Sequence, residues 1–177
     1  MEFLFYYHSS CLRLRNVENL GIMFDSDLSF SCQVYKCVSS AFLTIKNISK
    51  VCSFLTKKEK SILACSLVLS KLDYCNALYY GINSSLLNKL QYVQNCAARL
   101  VYKRRKFDHV SDILYELHWL PIKKRILYKI LLTVHKCLYN VASDDLNNLL
   151  LVESSSTFNL KIVKCNSSLI IIIISLS

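Results

Sequence analysis

Two glycines and one proline in 177 residues constrain this chain more than any single motif does. A sandwich or barrel of short strands reverses direction repeatedly, and each reversal draws on Gly, Pro, Asn or Asp to reach turn geometries. A chain so poor in the first two is better suited to long helices joined by short polar loops. Its length suits one domain able to bury a sizeable core.

Hydrophobic periodicity agrees with that reading. Asn19-Leu-Gly-Ile-Met-Phe24 reads as a short strand, with Gly21 as a bulge and Asp25-Ser-Asp27 as a turn. From Cys32 to Lys50, Val34, Val38, Ala41, Phe42, Ile45 and Ile48 recur at threes and fours, the mark of an amphipathic helix. Thr56-Lys-Lys-Glu59 is a capping box opening a second helix. Its body, Ile62 to Leu69, is apolar all round and is expected to be the central buried helix, running with a break towards Gly81. Ser84 or Ser85 caps a third helix with the stripe Leu86, Leu87, Leu90, Val93, Ala97, Leu100 and Val101. Ser111 to His118 forms a short fourth helix, and Pro121 opens a fifth whose core face is Ile122, Ile126, Ile130, Val134 and Leu138. A sixth is expected at 144–150. The expected fold is mainly α: a bundle of five to six helices with a short N-terminal strand or loop segment. Beyond Val152 the pattern fails, and 151–177 is expected to be an irregular tail, disordered or foreign to the domain.

Lys and Arg outnumber Asp and Glu by 22 to 12. Ten of those cations and three of the acids lie between Arg99 and Lys136, so +7 of the net +10 is concentrated there. Lys103, Arg104, Arg105 and Lys106 form one block, and Lys123, Lys124, Arg125 and Lys129 follow on the fifth helix. One reading is a solvated helix end, where cations offset exposed carbonyls. The other is a phosphate-contacting patch with Tyr102, Phe107 and Tyr128 available for stacking, giving salt-sensitive, sequence-independent affinity for RNA or an RNA–DNA hybrid. Trp119 beside Pro121 reads as a core anchor.

Nine cysteines at irregular spacing include no Cys-x-x-Cys pair and do not form a disulfide framework; reduced thiols in an intracellular protein, cytoplasmic or nuclear, are expected. The four histidines share no ligand spacing. No Ser/His/Asp elbow and no Gly-rich phosphate loop can be written. Two-metal phosphoryl transfer needs paired carboxylates, and the nearest imitation, Asp25 and Asp27, reads better as turn chemistry. No catalytic residue, metal, cofactor or small-molecule ligand is therefore expected. The apolar stretches at both ends are too short to span a bilayer, so no membrane partner is expected.

Several segments, taken in order, resemble the region after the polymerase core in LINE-type (non-LTR) retrotransposon reverse transcriptases. They are Val17-Glu-Asn-Leu-Gly-Ile-Met-Phe-Asp-Ser26 with Leu28-Ser-Phe30, Ser70-Lys-Leu-Asp-Tyr-Cys-Asn76, Leu90-Gln-Tyr-Val-Gln-Asn95 with Ala97-Ala-Arg-Leu100, Phe107-Asp-His109 and Leu117-His-Trp-Leu-Pro121. The resemblance implies a palm end at 1–30 and a helical, thumb-like domain at 31–150 that helps to hold template and primer. It implies no catalytic residue, because fingers, catalytic palm and endonuclease have no counterpart here. The expectation is a truncated fragment of an RNA-directed DNA polymerase, not an enzyme on its own. A helical protein-interaction module and a transposon relic without function stand as alternatives.

Overall fold

The computed structural model describes residues 16–139, 141–143, 146, 150–154, 160–165 and 168–175, with side chains at 17–139, 141–143 and 146. It divides into two compact units, one within 12–127 and the other taking the chain from 128 onward. The architecture is mainly helical, with a short strand pair ahead of the helices.

That pair is a hairpin: β1 (Asn16–Asn19) and β2 (Ile22–Asp25), antiparallel with Asn19 opposite Ile22. A short N-terminal strand segment is thus present as expected, but the strand expected at 19–24 is interrupted, and Gly21 sits in a turn, not a bulge. Leu20 and Gly21 have φ of 48° and 79°, and positive φ at both central residues makes a tight two-residue hairpin turn. The hairpin sits on the first helix, α1 (Ser31–Val51), through Met23 N donating to Gln33 Oε1 at 3.0 Å. The expected boundary at residue 30 therefore separates two hydrogen-bonded neighbours. Asp25 works as a turn residue, accepting from Ser29 Oγ at 2.5 Å and from Phe30 N at 3.2 Å.

α2 (Lys57–Ala64) opens on the capping box read from the sequence. Thr56 N donates to Glu59 Oε2 at 2.8 Å, and Glu59 N to Thr56 Oγ1 at 3.4 Å. The helix then widens over Cys65–Leu69, where Ser70 N reaches back five residues to Cys65 O, and closes as α3 (Ser70–Asp73). A wide turn of this kind rotates the apolar face. Ala64, Val68, Leu69 and Leu72 are buried, but Ile62 is 57% and Leu67 44% exposed, so this segment is not buried all round as expected. The chain breaks at Cys75, with φ 50°, before a short 3-10 turn at Asn76–Tyr79 and Gly81 at φ 81°.

The central helix is α4 (Ser84–Tyr102). It packs against α1, α2 and α5 (Ser111–Glu116). Leu90, Val93, Ala97 and Ala98 on α4, with Val34 and Ala41 on α1, are fully enclosed or nearly so. The α4 cap is Asn83, whose Oδ1 accepts from Ser85 N at 2.9 Å, one residue before the expected serines. α6 (Ile122–Leu138) follows Pro121, with Ile122 and Ile126 buried in the first unit. Trp119 is buried, as a core anchor should be.

In the second unit, the helix stretch from 128 buries Val134 and Cys137. The sixth helix expected at 144–150 lies mostly outside the described residues. Where an irregular tail was expected, the backbone runs as three antiparallel strands, β3 (Leu150–Ser154), β4 (Leu160–Cys165) and β5 (Ser168–Ser175), in the order β3-β4-β5. The physical reason is local: Val and Ile are stiff at χ1 and prefer extended backbone.

Candidate nucleic-acid interface

The segment Leu90–Leu100 meets both Phe107–His109 and Leu117–Pro121 in space, and Ser70–Asn76 is tied to the start of α6. Asp73 and Arg125 form a fork, with Arg125 Nε donating to Asp73 Oδ1 at 2.8 Å and Nη2 to Oδ2, while Asn76 Nδ2 donates to Asp73 Oδ1 at 3.3 Å. Gln91 and Gln94 hold the start of α6. Ile122 N donates to Gln91 Oε1 at 2.9 Å, Gln91 Nε2 to Gln94 Oε1 at 2.9 Å, and Gln94 Nε2 to Leu120 O at 2.8 Å. Arg99 Nε and Nη2 donate to Asp108 O at 3.3 and 3.1 Å. These segments form a packing framework.

The basic block begins where α4 stops. Lys103 has φ 52°, its N–H reaches Leu100 O at 3.4 Å, and Arg104 N reaches Arg99 O at 3.0 Å. This paired bonding back onto the last turn satisfies the carbonyls of Arg99 and Leu100. Lys103, Arg104, Arg105 and Lys106 are all exposed. Ion pairs among the described residues join Lys36 to Glu18, Lys57 to Glu116 and Arg125 to Asp73, and none takes a member of the block. Asp108 turns the chain after it, accepting from Arg105 N at 3.0 Å.

The flanking aromatics differ in what they offer. Phe107 is 90% exposed, with Lys106 Nζ 5.7 Å from its ring centre. Tyr102 is already engaged: Lys57 Nζ lies 3.6 Å over its ring and its hydroxyl donates to Glu116. That hydroxyl, then the charge of Lys57 and, more weakly, that of Arg104 lower the Glu116 carboxyl from its ordinary value. Tyr128 is exposed and belongs to the second unit.

Of the cations expected on the fifth helix, Lys123 and Lys124 are exposed at its start, whereas Arg125 is neutralised by Asp73. Lys129 is exposed in the second unit. The glutamine bonds seat the start of α6 beside Gln94, nine residues before Lys103, or about 14 Å along the α4 axis at helical rise. Of the cations singled out in the sequence, those exposed in the first unit fall at the end of α4 and at the start of α6.

One feature escaped the sequence reading. A groove of about 510 Å³ is lined by Ile45 and Cys52 on one side and by Tyr92, Cys96, Arg99 and Leu100 on α4, with Lys103, Arg104 and Lys106 beside them. Tyr92, Cys96, Leu100 and Lys103 fall on one stripe of α4 at spacings of four, four and three. That stripe borders the core stripe and shares Leu100 with it, so the sequence pattern alone does not set it apart.

Among the described residues no group of three His, Cys, Asp or Glu side chains comes together, and no helix is long and apolar enough to cross a membrane. Comparison with protein-family models, with curated proteins and with solved structures finds no match to this chain.

Proposed function

We propose that this chain is the post-palm, thumb-like part of a LINE-type reverse transcriptase, without polymerase activity on its own. What it retains is weak, sequence-independent binding of RNA or an RNA–DNA hybrid. The observation that carries the reading is the block Lys103–Lys106: four consecutive exposed cations outside every ion pair among the described residues. Such charges release counterions when they meet phosphates, and that release drives affinity. Lys123 and Lys124 add a second, smaller contact; Arg125, held by Asp73, serves the fold. The shared packing of the resemblance motifs supports their descent as one unit.

The test is binding of the full chain to a labelled RNA–DNA hybrid across a salt series, beside a variant with Lys103, Arg104, Arg105 and Lys106 changed to Glu. Four phosphate contacts correspond to a slope of log affinity against log salt of about −3 to −4. The expected result is a slope flatter by about 3 to 4 in the variant than in the parent, the remainder being the share of Lys123 and Lys124. Equal binding by both would return the block to a solvated helix end.

A second reading, a helical protein-interaction module, is favoured by the exposed apolar side chains Leu43, Phe54 and Ile62. Capture of one defined protein partner, lost on changing Phe54 to Ser, would favour it over the first.

A further inference from the structure

We infer that the groove between the end of α1 and the last three turns of α4 takes an unstacked base of a single-stranded nucleic acid, while Lys103, Arg104 and Lys106 hold the adjoining phosphates. The inference rests on the nucleic-acid reading above and gives it a subsite. Tyr92 carries it. Its ring is packed against Phe42, with centroids 5.9 Å apart, and the residue is 43% exposed on the groove wall. An aromatic ring steadied on one side and open on another is a stacking platform. Ile45, Cys52, Cys96 and Leu100 extend that wall with apolar or weakly polar surface. The volume, about 510 Å³, lies in the range of small-ligand clefts.

Charge and hydrogen-bonding capacity together choose the occupant. Three exposed cations beside an apolar wall match a ligand with an anionic backbone and a flat face. An acidic peptide would match the cations too, but it would bring backbone N–H and C=O groups that need partners. The wall offers few. The groove-side carbonyls of Arg99 and Leu100 already accept from Arg104 and Lys103, Leu100 O is also approached by Cys52 Sγ at 3.9 Å, and Arg99 directs its Nε and Nη2 to Asp108 O. A base presents a π-face that needs no such partner, and its phosphates stay beside the cations in water.

The experiment compares the full chain's affinity for a twelve-nucleotide oligouridine with its affinity for the same backbone lacking bases, at several salt concentrations. Stacking of a single base on an aromatic side chain corresponds to about tenfold in affinity. The intact oligomer should bind about tenfold more tightly, and Tyr92→Leu should reduce it to the level of the abasic one with the salt slope unchanged. Tyr92→Phe should keep the difference. The intact oligomer alone should slow maleimide labelling of Cys52 and Cys96, a readout that needs no variant. Equal salt-sensitive binding of intact and abasic strands overturns the subsite and leaves the proposed function standing. Tighter binding by a glutamate-rich peptide than by the oligomer overturns it in favour of a peptide groove. Absence of salt-sensitive binding to any nucleic acid overturns both.

Discussion

Lys103 carries two duties that pull its identity in opposite directions. At φ 52° it occupies a left-handed conformation that costs a residue with a Cβ about 1 kcal/mol and costs glycine almost nothing. As a cation it belongs to the exposed block. Lys103→Gly should therefore raise stability by about 0.5–1 kcal/mol, read as a small rise in Tm, while flattening the salt slope of nucleic-acid binding by roughly 0.7–0.9, the share of one phosphate contact. Leu20 has the same backbone problem without a competing duty. It is 83% exposed with φ 48°, and Leu20→Asn gives the turn the Asn-Gly pair it favours, so urea unfolding should show about 0.5–1 kcal/mol of added stability. Arg125 shows why residue roles were only partly legible. On a helical wheel it sits with the solvent-facing cations, and only the fold brings Asp73, 52 residues away in sequence, to neutralise it. Cys37 and Tyr79 were likewise unmarked until burial pushed the thiol up to about 11 and the phenol up to about 12. Both are acids whose neutral form the fold prefers. Their contribution is fully present below the unfolded values, 9.0 and 10.0, and is lost as pH rises through about 11 and about 12. Urea midpoints should therefore fall above pH 9, and Tyr79→Phe should flatten the upper part of that decline.

Among the elements, α1, α4 and α6 were readable because each keeps one apolar stripe over several turns, and a stripe that long survives any single exception. The segment 62–69 was misread for the opposite reason. A run of about two turns that is apolar all round names no face, and the wide turn at Cys65–Leu69 chose one by tertiary packing, leaving Ile62 and Leu67 in solvent. The join between α4 and α6 was invisible too. Gln91 and Gln94 look like surface residues in a helical pattern, yet Gln94 is fully buried and both amides serve Leu120, Ile122 and each other. Proline at 121 offers no N–H, so the start of α6 depends on such a partner. Gln94→Leu keeps the volume and removes the bonds, stranding Leu120 O and part of Gln91. It should cost about 1–3 kcal/mol in chemical denaturation, whereas Asn95→Ala, which disturbs only the outer bond from Gln91 at 2.8 Å, should cost under 1 kcal/mol.

Taken over the whole chain, the +10 net charge is a weaker guide than its arrangement. Ten cations fall in one stretch of the sequence, and the fold sorts them: Arg125 is neutralised by Asp73, Arg99 is tethered to Asp108 O, Lys103–Lys106 at the end of α4 take part in no ion pair among the described residues, and Lys123 and Lys124 stand at the start of α6. The candidate site was thus legible as a charge density and illegible as a geometry, because the distance between clusters is set by where the glutamines seat α6. Two variants of equal charge change separate a local interface from a general positive field. Arg104→Glu with Arg105→Glu, and Lys123→Glu with Lys124→Glu, each lower the net charge by four, from +10 to +6. A general field predicts equal losses of affinity. The seat of α6 at Gln94 and the start of the block at Lys103 lie about 14 Å apart along the α4 axis, which corresponds to roughly four nucleotides at 3.4 Å each. A dinucleotide should therefore lose affinity only in the first variant, while a twelve-base-pair hybrid should lose it in both, and more in the first. Titrating both lengths against both variants at one low salt concentration reads this directly, and equal losses at the shorter length would replace the interface with non-specific attraction.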